Sequence, residues 1–183
     1  MGKLEVVVGN IVSDDLLKRA DAIVNPTNPA MLYGGGACGA IFNKAGVEEL
    51  ENYTKKQFNI FFDGTYKNLM QVTEVRITPG FKIPCDIIFA QGPKVWDTYS
   101  YEEAENLLLT TYENVVKEAV KRGYKNILMP SLGTGIYGFH HEKVAKKVMA
   151  LLQNLIKEKP LNIVFVVYES EKFDVYNQYL IDN

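Results

Sequence analysis

The chain has 183 residues, of which 47% are hydrophobic and 23% charged, and its formal net charge is −2. That length and apolar content are enough for one compact domain with a full core, residues 1–183 together, and the near-neutral charge excludes a general basic field for gathering nucleic-acid backbone or anionic membrane. No apolar run approaches the roughly 20 residues of a membrane span, and the N-terminal stretch lacks the apolar centre of a signal peptide, so a cytoplasmic protein is expected.

In chain order, short apolar β-branched runs predict strands at Leu4 to Val8, Ala22 to Val24, Val72 to Ile77, Asp86 to Ala90, Asn126 to Met129 and Asn162 to Val167. Helical patterning falls between them, at Asp14 to Arg19, about Ala37 to Tyr53, about Tyr101 to Arg122, about Glu142 to Lys157, and Glu171 to Leu180. In the fourth of these, Val144, Val148, Leu151, Leu152 and Leu155 recur at helical spacing, which leaves Lys143, Lys146, Lys147 and Lys157 on a solvated face. Alternating strands and helices predict a layered α/β domain in which helices sandwich a mixed sheet. In such sheets ligands sit beyond the carboxyl ends of the strands.

The two cysteines, Cys38 and Cys85, are far apart and have no zinc spacing, so both are expected to be free thiols. His140 and His141 are the only histidines and they are adjacent. No metal site is expected from such a set, and a helix-start role fits the pair better than proton transfer.

Two glycine loops stand out, Asn25 to Gly39 and Ser131 to Gly138, each following a strand and leading to a helix. Gly34, Gly36 and Gly39 satisfy G-x-G-x-x-G, and so do Gly133, Gly135 and Gly138. Either loop alone could be a tight turn needing positive φ. Two in equivalent places point to a diphosphate gripped from both sides, because glycines let backbone N–H groups close on phosphate oxygens at helix N-termini. The glycines lead into Ala-Cys-Gly and Ile-Tyr-Gly, not Gly-Lys-Ser/Thr, which excludes a P-loop NTPase. A Rossmann site would place its glycines directly after the first strand, where this chain has Gly9-Asn10-Ile11.

Gly9-Asn10-Ile11, Ala22 to Asn28, Gly34 to Ile41, Gly92-Pro93 and Ser131 to Gly138, in that order and across nearly the whole chain, resemble the macro domain family. The resemblance implies a three-layer α/β/α fold that binds ADP-ribose. It also implies, in many members, removal of ADP-ribose from acidic protein side chains or cleavage of O-acetyl-ADP-ribose, without a metal or other cofactor. Asn10 matches the position that receives the adenine amino group, usually aspartate, and Ile11 packs beside the ring. Tyr168 matches an aromatic near adenine and proximal ribose, with a core tyrosine as the lesser alternative. Gly36, Ala37, Cys38, Ser131, Gly133, Thr134, Gly135 and Ile136 match the loops around the diphosphate. Tyr137 matches the aromatic beside the distal ribose, Asn28 the asparagine that hydrogen-bonds it, and Asn25 a residue supporting that loop.

The catalytic set implied is Asn28, Gly35, Cys38 and Tyr137, with the Gly34 to Gly36 loop holding the distal ribose and a substrate phosphate orienting the attacking water. Cys38 stands where many active members have aspartate. A neutral thiol is a poor carboxylate base, though a helix N-terminus could lower its pKa. The reading leans to a hydrolase of ADP-ribosyl esters whose partner is ADP-ribose or an ADP-ribosylated protein. A non-catalytic reader and a phosphatase of ADP-ribose 1''-phosphate stay open, RNA or poly(A) binding is weaker, and a monomer is the default. Gln91, before Gly92-Pro93, has no role assigned by the pattern.

Overall fold

The computed structural model describes residues 1–180. Its elements are β1 (Leu4–Val8), α1 (Asp14–Leu17), β2 (Ala22–Pro26), α2 (Gly36–Ala45), α3 (Val47–Gln57), β3 (Phe61–Phe62), β4 (Tyr66–Lys67), β5 (Val75–Thr78), β6 (Asp86–Ala90), α4 (Tyr101–Arg122), β7 (Asn126–Pro130), α5 (His141–Ile156), β8 (Asn162–Val167) and α6 (Phe173–Asn177), the last preceded by a 3-10 turn at Ser170–Lys172. Six strands form a mixed sheet in the order β1-β8-β7-β2-β6-β5. All neighbours pair in parallel except β5, which runs antiparallel to β6 at one edge.

Successive side chains on a strand point to opposite faces, and here both faces are apolar. Ile23, Ile87, Leu128, Val164 and Val166 pack with Leu17, Ile41, Phe42 and Leu50 of α1, α2 and α3. Their neighbours Val24, Ile88, Ile127, Met129, Ile163, Phe165 and Val167 pack with Leu108, Tyr112, Val148 and Tyr176 of α4, α5 and α6. The result is the three-layer α/β/α sandwich with a mixed central sheet. Strands covered on both faces carry no polar alternation.

Four elements depart from expectation. The helix expected at 37–53 is two helices, broken at Gly46, whose φ of 103° no helix contains. The strand expected from Val72 starts at Val75, because Thr73 has a φ of 75° and its N–H turns to the Gln91 carbonyl. The segment expected as one helix from Glu171 is a 3-10 turn followed by a short α6. The small β3–β4 hairpin was not expected at all, since Phe61, Phe62 and Tyr66 are exposed and show no burial pattern. Among the described residues no helix is long and apolar enough to cross a membrane.

Candidate functional site

The carboxyl ends of β1, β2, β6, β7 and β8 open onto a cleft of about 700 Å³, within the range of small-molecule sites. Of the residues named from the sequence, Asn10, Ile11, Asn28, Gly34, Gly35, Gly36, Ala37, Cys38, Ser131, Gly133, Thr134, Gly135, Ile136, Tyr137 and Tyr168 all line it. Asn25 does not. It lies within β2, fully buried, and its amide nitrogen and oxygen have no hydrogen-bond partner among the described residues. It therefore does not support the Asn28 loop by hydrogen bonding; its amide faces the Cys38 thiol instead.

The first loop ends at Gly35, the N-cap of α2, so the N–H groups of Gly36, Ala37 and Cys38 have no intrahelical acceptor. A side chain at Gly39 would strike the Gly34 carbonyl, its Cβ lying 2.4 Å from that oxygen. Gly39 is thus required for the loop to fold back on the helix. Nothing within 4 Å would obstruct a Cβ at Gly35 or at Gly135. Neither glycine has a positive φ, so each leaves open space toward the cleft and not room for the chain itself.

Across the cleft, the second loop is pinned from beneath. The Phe139 N–H bonds the Gly133 carbonyl at 3.0 Å, and Gly133 needs its φ of 74°. The Ser131 and Thr134 hydroxyls are 2.6 Å apart. The Leu132 N–H donates to the hydroxyl of fully buried Tyr112 at 2.6 Å, and Tyr176, also fully buried, places its hydroxyl 2.8 Å from His141 Nδ1 and beside Ser131. Among the described residues, the N–H groups of Thr134, Gly135, Ile136 and Tyr137 are not consumed by these bonds. Two facing sets of free backbone donors, one at a helix start, make a binding site for an anion.

At one end of the cleft, the Asn10 oxygen accepts the Val12 N–H at 3.1 Å, an Asx turn that leaves one lone pair of the carbonyl. Ile11 is buried there, and Tyr168 is 82% exposed, so Tyr168 is no core residue. Glu169, Lys172 and His141 line the same side; Lys172 pairs with Glu142 at 3.0 Å. Burial first, then the Lys172 charge, lowers the His141 pKa. His140 is the N-cap of α5 and His141 its first residue, as a helix-start role requires.

At the other end, the Asn28 amide donates to the Leu32 carbonyl at 2.7 Å and accepts the Leu32 N–H at 3.0 Å. This rigid clasp uses one amide hydrogen and leaves the second for a ligand. Burial pushes the Cys38 thiol up to about 11, with the Asn25 amide and the Gly34 backbone opposing it in part. The helix N-terminus does not turn Cys38 into a thiolate at neutral pH. Tyr137 is half-buried, its hydroxyl 3.3 Å from the Thr27 carbonyl and its ring 5.5 Å from the Lys94 ammonium. Burial raises the Tyr137 pKa, offset by the amide of Gln91. Among the described residues no three His, Cys, Asp or Glu side chains gather as metal ligands would.

Sequence reasoning missed Thr27, Gln91, Tyr112 and Tyr176. Each is buried, and a tyrosine inside an amphipathic helix gives no sign that its hydroxyl meets a loop.

A model of the macro domain matches residues 24–148. An O-acetyl-ADP-ribose deacetylase of Enterobacter sp. is 32% identical over 184 residues, spanning 98% of this chain and 94% of that one. A macro domain-containing protein of Chlorobaculum tepidum is 29% identical, with 96% of each chain covered. Among solved structures, the Oceanobacillus iheyensis macrodomain with ADP superposes with a TM-score of 0.80 at 26% identity, covering 96% of this chain and 88% of that one. A glycine-to-valine mutant of it with ADPR gives 0.81 at 26% identity, covering 96% and 90%. By sequence and by fold, then, the chain belongs to the macro domain family.

Proposed function

We propose that the cleft binds ADP-ribose and hydrolyses ADP-ribosyl esters, either O-acetyl-ADP-ribose or mono-ADP-ribose on acidic side chains. The observation that carries this reading is the pair of facing loops whose backbone donors converge on one cleft, with an exposed aromatic, Tyr168, at one end and an asparagine with one free donor, Asn28, at the other. In this reading adenine lies between Ile11 and Tyr168, the diphosphate between the loops, and the distal ribose at Asn28, all of which line the cleft. Relatives named as deacetylases of O-acetyl-ADP-ribose and a neighbour holding ADPR support the same ligand.

In the proposed reaction on a glycosyl ester, water adds to the anomeric carbon of the distal ribose while the bond to the carboxylate oxygen breaks. The departing carboxylate carries the electron pair and needs no acid. The water proton passes first to a substrate phosphate oxygen. What the protein supplies is placement: Asn28 and the Gly34 to Gly36 loop hold the sugar, and Tyr137 restrains it. Cys38, protonated and only 5% exposed, serves as the wall of this subsite and not as a base. The scheme requires no metal or cofactor and treats the chain as a single monomeric domain acting in the cytoplasm.

A second reading, a binding module without turnover, draws on the same thiol. The only carboxylate lining the cleft, among the described residues, is Glu169, next to Tyr168 at the adenine end. Release of ADP-ribose from a glutamate-modified protein, measured beside calorimetric ADP-ribose affinity, separates the two: turnover lost in Asn28→Ala marks the hydrolase, and binding without release marks the module.

A further inference from the structure

Thr27 stands one residue beyond β2, 2% exposed, where it lines the cleft. The ladder between β2 and β7 ends at Ile23–Leu128, before either strand does, so the two glycine loops leave from an open seam. Pro26 has no N–H with which to bond a neighbouring strand. The Thr27 N–H follows it and donates to the Ala90 carbonyl at 3.1 Å, which ties the start of the first loop to β6. The separation of the two loops is left to bonds made above the seam.

Thr27 makes them with two further atoms. Its carbonyl accepts the Tyr137 hydroxyl at 3.3 Å, and among the described residues this is the one hydrogen bond that joins the first loop to the second. Its own hydroxyl donates to the Asn28 carbonyl at 2.8 Å. That carbonyl also accepts the Met31 N–H at 3.1 Å, while the Asn28 amide clasps Leu32. Tyr137 is held at its main chain as well, its carbonyl accepting the Val95 N–H at 2.9 Å. A valine would fill nearly the same buried space as Thr27; what the threonine adds is the bond to Asn28.

We infer that Thr27 is a positioning residue for the distal-ribose subsite: bonded to Asn28 through its hydroxyl and to Tyr137 through its carbonyl, it sets the separation of the two side chains that flank the sugar. Without the hydroxyl, the Asn28 peptide loses one of the two donors that fix its carbonyl, and the amide it carries is less well aimed. The inference rests on the proposed ligand, and it gives Thr27 a role exerted through Asn28 and Tyr137 and not on the sugar itself.

The test compares ADP-ribose with ADP, which lacks the distal sugar, by calorimetry on the wild type, Thr27→Val, Thr27→Ser, Tyr137→Phe and the Thr27→Val, Tyr137→Phe double variant. The expected result is that Thr27→Val leaves ADP affinity unchanged and lowers the preference for ADP-ribose by roughly fivefold, the value of one hydrogen bond. Thr27→Ser, which keeps the hydroxyl and loses a methyl group, should retain the wild-type preference, a distinction that mere core filling does not predict. Tyr137→Phe breaks the tie at its other end and should lower the preference too, and the double variant should lose less than the two single losses combined. An unchanged preference in Thr27→Val or Tyr137→Phe, a serine variant as impaired as the valine one, an additive loss in the double variant, or an equal fall for ADP and ADP-ribose overturns the assignment. If the wild type itself shows no preference for ADP-ribose over ADP, the distal subsite as proposed is wrong and the inference falls with it.

Discussion

The Leu132 backbone N–H donates to the Tyr112 hydroxyl over 2.6 Å, which joins the middle of α4 to the second glycine loop through a side chain that is 1% exposed. The loop's ligand-facing donors therefore depend on a residue of the core. Tyr112→Phe keeps the ring and removes the acceptor, leaving a buried N–H unpaired. The expected cost is about 1–3 kcal/mol in unfolding free energy. ADP-ribose affinity should fall as well, because the loop loses its anchor. Chemical denaturation and calorimetry check both, and a variant as stable and as tight-binding as wild type removes Tyr112 from the loop's support.

Tyr168 presents the opposite situation. It is 82% exposed at the end of β8, so its removal should leave the unfolding midpoint unchanged. Loss of an aromatic surface for adenine should weaken ADP-ribose roughly three- to tenfold in Tyr168→Ala, with Tyr168→Phe close to wild type. Equal affinity in the alanine variant would place adenine elsewhere.

Cys38 and Cys85 make stability fall at alkaline pH. Burial raises Cys38 to about 11 and Cys85 to about 12, so the folded chain holds these protons more tightly than the unfolded chain, in which thiols titrate near 9. The stabilisation is complete below about pH 9 and is lost as pH rises from there toward 11 and 12. Denaturant midpoints should decline across that window, less steeply in Cys85→Ala. Within the hydrolysis profile, no inflection between about pH 6 and 9 should disappear in Cys38→Ala. One that does would make the thiol a proton carrier.

The fold was legible because the strands repeat apolar β-branched residues without polar alternation, and α5 places Val144, Val148 and Leu152 on one buried stripe. Boundaries were missed where backbone conformation and not hydrophobicity decides, as at Gly46 and Thr73, both with positive φ. The cleft was legible through its glycines and asparagines, which sit on loops in recognisable order. Its supports were not. Tyr112 and Tyr176 act through single polar atoms delivered by tertiary packing, and their spacing in sequence resembles that of any core residue. Asn25 shows the converse, since its motif suggests a ligand-facing loop residue and its place in β2 buries it beneath the cleft, outside the lining.

Asn28 concentrates the functional account, because its amide clasps Leu32 with two bonds and keeps one donor for the ligand. The most direct measurement is release of ADP-ribose from a protein mono-ADP-ribosylated on glutamate or aspartate, and of acetate from O-acetyl-ADP-ribose, by wild type and Asn28→Ala at matched concentration. The account predicts turnover of at least one substrate by the wild type and a loss of about a hundredfold or more in the variant, the order expected when a substrate-positioning contact is removed. Wild-type binding of ADP-ribose with no release from either ester, or an Asn28→Ala variant as active as wild type, would contradict it.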